Sequence, residues 1–285
     1  MGSGLALLGC AFVGLRLYEY SEQIDVTSIN VYGWLTLITL TVLYGFAGFL
    51  LAISWQRLLS FLNVKITHQF AINTYGMSQL AKYVPGNIFQ FAGRQAVGIA
   101  SGLPGRALIK STVLELIIIA IIGALFIILG LPLLVQWLNF YLSAVLFFSI
   151  IVLVVLLVKY FYSSELSFAI IYYAMFLGCS GFMFFVILSL LLPSSALTAA
   201  LFLPISAAYV TAWLAGLLAP GAPAGIGVRE FVIIAILQQY IEQADLLTAV
   251  LLGRMVTVGG DMFFYLIAVM IFRNPICLID SDSYS

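Results

Sequence analysis

"KYVPGNIFQFAGRQ", residues 82–95, interrupts a long apolar region with Pro85-Gly86. Lys82 stands before the break and Arg94 after it. The surrounding chain makes such a break costly. Of its 285 residues 64% are hydrophobic and only 8% charged, with a mean hydropathy of +1.19. Charged residues make up about a quarter of an ordinary soluble domain. A chain this apolar would expose most of its oily surface in water, so the composition predicts a polytopic integral membrane protein.

A spanning helix needs about 20 apolar residues. Candidate spans run over 3–19, 31–54, 107–130, 140–158, 166–192 and 246–272. The first is followed by Arg16, Glu19, Glu22 and Asp25 rather than a small-residue cleavage site, and is read as a retained helix. Two further regions, 69–100 and 196–240, are each interrupted, the second by "LAPGAPAGIGVRE" at 218–230. Each is long enough to enter the membrane and return as a helix–break–helix hairpin.

The two breaks match. Pro85-Gly86 is followed by Arg94 nine residues after the proline, and Pro220-Gly221 by Arg229 at the same distance. A glycine lies shortly before each arginine, Gly93 and Gly227. Each hairpin is followed by a span that carries charge: Lys110 and Glu115 in the first, Arg254 and Asp261 in the second. Three spans separate the units, an odd number, so they point in opposite directions. Interrupted apolar segments at corresponding places in two halves are the signature of an inverted repeat. The expected fold is an all-α membrane protein of about six transmembrane helices plus two oppositely oriented re-entrant hairpins. It forms one membrane domain over 1–285, with repeat cores at 66–130 and 196–273. With the N-terminus inside, Arg57, Lys65, Arg106, Lys159 and Arg273 all fall on the inner side, as the positive-inside rule requires. Both termini are therefore expected in the cytoplasm.

Proline lacks an N–H and glycine tolerates unusual dihedrals, so Pro-Gly ends a helix. Non-helical backbone at membrane depth survives only where protein buries it or water fills a cavity. The new helix start offers free N–H groups with partial positive charge. An added arginine, with its planar fork, makes a site for an anion such as phosphate. Arg94, Lys110, Glu115, Arg229, Glu230, Arg254 and Asp261 would together cost on the order of 15–25 kcal/mol if all faced lipid. They are expected to face a cavity or one another. Arg94 and Arg229 are the candidate phosphate ligands, with Lys110 and Arg254 adding positive potential; Lys110, which opens its helix, is divided between that role and the inner interface. Glu115, Glu230 and Asp261 are candidates for charge balance, hydroxyl contacts or proton carriage. Asn87 and Gln90 are candidate hydroxyl contacts, and Gly225 and Gly227 shape the second break. Lys82 is divided between cavity and snorkelling to the interface. Arg254 lies seven residues before Asp261 on one helix face, which leaves Glu115 as the carboxylate with no cation on its own face.

Several classes are excluded. Formal net charge is zero, so no nucleic-acid footprint is visible. Cys10, Cys179 and Cys277 are far apart and His68 is the single histidine, which supports neither a metal site nor a disulfide framework. No P-loop occurs, and the glycines of "GAPAGIGVRE" follow no strand, so neither ATP hydrolysis nor a dinucleotide cofactor is expected. No nucleophile–base pair or soluble catalytic domain is recognisable, and no enzyme activity is expected.

"LAKYVPGNIFQFAGR" (80–94) and "LAPGAPAGIGVRE" (218–230) together resemble the flippase-like membrane region of the lysylphosphatidylglycerol synthase family. The match covers residues 55–273. The family's second motif usually reads Pro-Gly-Gly-(Ile/Leu)-Gly-Val-Arg-Glu; here Ala224 stands where a glycine is common, and Gly225 to Glu230 match. The soluble aminoacyl-transferase domain is missing from this sequence, which takes lysyl transfer away and leaves lipid translocation. The resemblance implies a prokaryotic cytoplasmic-membrane protein that moves an anionic lipid head group, a polyprenyl-phosphate-linked sugar first, beside enzymes of envelope glycan synthesis. Alternatives are a phospholipid or aminoacyl-phosphatidylglycerol flippase, a transporter of a small soluble anion, and a membrane glycosyltransferase, for which the loops are short.

Overall fold

The computed structural model describes residues 30–84, 88–135, 137–192, 199–219, 225 and 227–271. These residues are helical, with no strand among them. In chain order the helices are α1 (Val31–Phe61), α2 (His68–Gln79), α3 (Phe89–Ala100), α4 (Gly105–Leu134), α5 (Phe140–Phe161), α6 (Ser164–Leu191), α7 (Phe202–Leu218), α8 (Val228–Leu237) and α9 (Gln243–Ile271). The span expected over 3–19, and Pro85, Gly86, Asn87, Pro220 and Gly221 at the breaks, lie outside the described residues.

Length sorts the helices into two kinds. α1, α4, α5, α6 and α9 are long and apolar enough to cross a membrane. The shortest, α5, has 22 residues, about 33 Å at helical rise, against a hydrocarbon core of about 30 Å. α2 and α3 have 12 residues each, α7 has 17 and α8 has 10. They reach only about 15–26 Å and cannot cross alone. Local signals set the ends. Asn30, Thr67, Asn139 and Ser163 each cap a helix by accepting a backbone N–H from its first turn. α2 tightens into a 3₁₀ turn over Leu80–Tyr83, and Val84, the residue before Pro85, is extended.

The short helices form two hairpins. α2 packs against α3 and α7 against α8. Leu62–Val64 before the first hairpin and Pro104–Ala107 after it line one shallow depression, so the chain enters and leaves on the same side. The second hairpin opens from the other side. Arg57, near the end of α1, pairs with Glu165, at the start of α6, at 3.0 Å. α6 therefore begins on the first hairpin's side and carries the chain across. Beyond α8, Gln239 and Tyr240 donate to the Leu133 carbonyl at 3.0 and 2.7 Å. Leu133 is at the far end of α4 from the first hairpin's exit. The hairpins are re-entrant and oppositely oriented.

The packing also repeats. α1–α4 and α6–α9 follow the same plan of long helix, two short arms, long helix, and α5 connects them. The helix after each hairpin packs on the first arm of the other hairpin: α4 on α7, and α9 on α2. α5 touches mainly α4 and α6, and only Ser143 and Phe147 are buried along it, as a lipid-facing connector requires.

Lipid tails are as apolar as leucine, so these helices are joined by close contact rather than by hydrophobic exclusion. The tightest seam is α1 against α9. A Cβ placed on Gly260 would lie 2.8 Å from the Thr41 carbonyl oxygen and 3.0 Å from the Gly45 nitrogen. Those neighbours are backbone and cannot step aside. Gly260→Leu should therefore destabilise the protein by at least about 1–3 kcal/mol, the usual cost of overpacking. Gly178→Leu, at a position whose Cβ direction is open, should be tolerated. Thermal unfolding of both variants in detergent checks this, and equal melting temperatures would place the α1–α9 seam wrongly.

Candidate functional site

Arms of the two hairpins meet at one interior cavity of about 90 Å³. Lys82, Tyr83, Gln90 and Arg94 line it from the first hairpin, Arg229 from the second, and Glu115 and Arg254 from the long helices that follow. Tyr44, Tyr75, Phe176 and Trp213 supply aromatic wall.

Each acid here has a cation. Arg94 Nη2 lies 2.5 Å from Glu115 Oε2, Arg94 Nη1 lies 3.3 Å from Oε1, and the Tyr75 hydroxyl donates to Oε1 at 2.8 Å. This pair is sealed: the side chains are 3% and 2% exposed. The rings of Tyr75 and Trp55 close over the guanidinium at 4.6 and 5.3 Å. Asp261 is held from the first hairpin by Lys82 Nζ at 2.6 Å, by Gln79 Nε2 at 3.2 Å and by the Tyr83 hydroxyl. Glu230 does two jobs. Its Oε2 accepts from the Gly227 N–H at 2.8 Å, capping α8, and its Oε1 meets Arg254 Nη2 at 2.7 Å.

Arg229 differs. Among the described residues it has no carboxylate partner, unlike Lys82, Arg94 and Arg254. Its stem is threaded between two glycines. A Cβ on Gly216 would fall 2.8 Å from Arg229 Cγ, and one on Gly225 would fall 3.0 Å from Arg229 Nε. Gly225 also has φ +71°, a conformation only glycine adopts freely. The Trp213 ring lies 5.8 Å from the guanidinium carbon. The sequence thus builds a slot that fixes the arginine against an aromatic ring, with no carboxylate on its fork among the described residues.

Several expectations change. Lys110 is exposed and lines the shallow depression with Asn63 and Arg106, away from the cavity. It cannot add potential to the cavity. Lys82 does not snorkel; Asp261 draws it inward. Arg254 is not the partner of Asp261, because seven residues put them on one face but two turns, about 10 Å, apart. Glu115 is not the carboxylate lacking a cation, since Arg94 reaches it from α3. Arg94 and Arg229, alike in spacing, are therefore unlike in state. Reading the sequence missed Tyr75, Gln79, Tyr83, Trp213 and Gly216. Tyr75, Gln79 and Tyr83 recur every four residues along α2 and the turn that follows it, a spacing that puts them on one face. Trp213 and Gly216 carried no such signal.

No protein-family model and no curated protein matches the chain.

Breaking the sealed pair should cost much more than replacing it. Glu115→Leu alone leaves a buried, unpaired guanidinium and should destabilise by about 3–5 kcal/mol, whereas Glu115→Leu with Arg94→Met should recover most of that loss. Unfolding of the three proteins in detergent measures it. A double variant no more stable than the single one would show that the two residues act independently.

Proposed function

We propose that this protein moves an anionic lipid-linked head group, a polyprenyl-phosphate-linked sugar, across the bilayer without ATP. The observation that carries this reading is Arg229: a cation at membrane depth, facing a cavity, with no carboxylate on it among the described residues. An uncompensated arginine at mid-membrane costs about 2.5–3.5 kcal/mol on insertion scales. A phosphate accepting both arms of the fork would remove that cost. Aromatic walls and the amide of Gln90 suit a head group with apolar ring faces and hydroxyls. Two hairpins opening from opposite sides onto one cavity supply the architecture for alternating exposure, one repeat rocking against the other. Basic loop residues favour both termini on the cytoplasmic side.

A second reading, transport of a small free anion, is favoured by the cavity's size. The cavity, about 90 Å³, is of the order of a phosphate-sized group. In the lipid reading only the head group enters and the tail stays outside.

Proteoliposomes separate the two. Head-group movement of a radiolabelled prenyl phosphosugar should fall at least about tenfold in Arg229→Ala, while the protein stays monodisperse in detergent. Arg229→Lys should also lose most activity, since a point charge does not replace a fork. Movement undiminished in Arg229→Ala would remove the basis of the proposal. Uptake of free phosphate without movement of the lipid would establish the second reading instead.

A further inference from the structure

We infer that the head group this cavity accepts is a phosphodiester bearing one negative charge, not a phosphomonoester or a diphosphate. The inference rests on the reading of Arg229 as the anion ligand. It follows from charge. Four cations, Lys82, Arg94, Arg229 and Arg254, line the cavity. Among the described residues three carboxylates, Asp261, Glu115 and Glu230, are paired with all of them but Arg229. One positive charge remains to be met.

A second negative charge on the ligand would need a second cation, and each source is closed. Arg94 is chelated by Glu115, ringed by Tyr75 and Trp55, and almost fully buried. Turning Lys82 to the ligand takes the cation from Asp261, which is 3% exposed, and leaves it only Gln79 and Tyr83. Turning Arg254 leaves Glu230, 20% exposed, only the Gly227 N–H. Loss of the cation is unfavourable for both, most of all for the buried Asp261. A diester has one ionisable oxygen. A terminal phosphate carries about −1.5 to −2 near neutral pH, and a diphosphate carries more. The diester is the head-group chemistry that neutralises Arg229 and leaves the three ion pairs intact. Both a prenyl phosphosugar and phosphatidylglycerol present it.

The test is binding of soluble short-tailed ligands to the purified full chain in detergent, at fixed pH and ionic strength. The probes are farnesyl phosphoglucose, dihexanoyl phosphatidylglycerol, farnesyl monophosphate, farnesyl diphosphate and uncharged farnesol. At least one diester should bind about tenfold or more tightly than the diphosphate, a difference of about 1.4 kcal/mol. If the phosphosugar is the diester preferred, the substrate is a prenyl-linked sugar; if the phosphatidylglycerol, a phospholipid. Either supports the inference. Asp261→Asn, which releases Lys82, should narrow or reverse the preference toward the diphosphate. Glu230→Gln, which releases Arg254, serves the same purpose should the first variant fail to fold. Tighter binding of the diphosphate by the unaltered protein, or an unchanged order in both variants, overturns the inference while the anion site stands. Binding no tighter than farnesol for every anion, or full affinity in Arg229→Ala, would instead overturn the reading beneath it.

Discussion

A charge in hydrocarbon has no water to answer it, so ionised groups inside this bundle are paired within the protein, Arg229 being the exception among the described residues. Three ion pairs do that, and they determine where the irregular backbone sits. Arg94–Glu115 fastens the first hairpin to α4, Lys82–Asp261 fastens the same hairpin to α9, and Glu230–Arg254 fastens the second hairpin to α9. Short helices of 10–17 residues have too little surface to hold themselves at membrane depth. The long helices hold them, and the ion pairs fix the register.

α9 is the member on which both hairpins converge. Arg254 and Asp261 stand two turns apart on one face, and each reaches a different hairpin. The glycine seam with α1 keeps this helix close enough for both reaches: Gly45, Gly259 and Gly260 leave no room for side chains where the backbones touch. Below the seam, the Asn73 amide donates to the Ala268 carbonyl at 3.1 Å and ties α2 to the same helix. Any movement of one hairpin relative to the other must therefore carry α9 with one of them and exchange polar contacts with the other. Alternating exposure in such a frame is a trade of ion pairs rather than free rotation about the breaks.

The fold was largely legible because its main determinants are local. Apolar runs of spanning length announced the long helices, and Pro-Gly at matched spacing announced the hairpins. The odd number of spans between the two units gave the hairpins' opposed directions, which the Arg57–Glu165 and Tyr240–Leu133 contacts now bear out. The site was legible only as an inventory. Lys82, Glu115, Arg229, Glu230, Arg254 and Asp261 were all singled out, but who pairs with whom depends on side chains meeting across helices. Sequence spacing alone paired Arg254 with Asp261 and left Glu115 alone; tertiary packing joined Glu115 to Arg94 instead. The likeness of the two motifs also misled in one respect. The helix after the first hairpin brings a carboxylate to its arginine, whereas the helix after the second brings another cation, which Glu230 rather than Arg229 satisfies.

That asymmetry suits transport better than two equal arginines would. A guanidinium already chelated, as Arg94 is, can take an anion only by giving up its carboxylate, and a substrate that bound this way would leave a buried charge behind. Arg229 needs no such exchange: the glycine slot and Trp213 hold it in position, and among the described residues no carboxylate occupies its fork. A single unmatched charge also limits how tightly an anion is held. A carrier must bind well enough for the substrate to enter and weakly enough for it to leave on the other side. Two free arginines converging on one phosphate would favour capture over release. One such arginine, with the second locked to Glu115, keeps electrostatic attraction for entry and limits how strongly the head group is held.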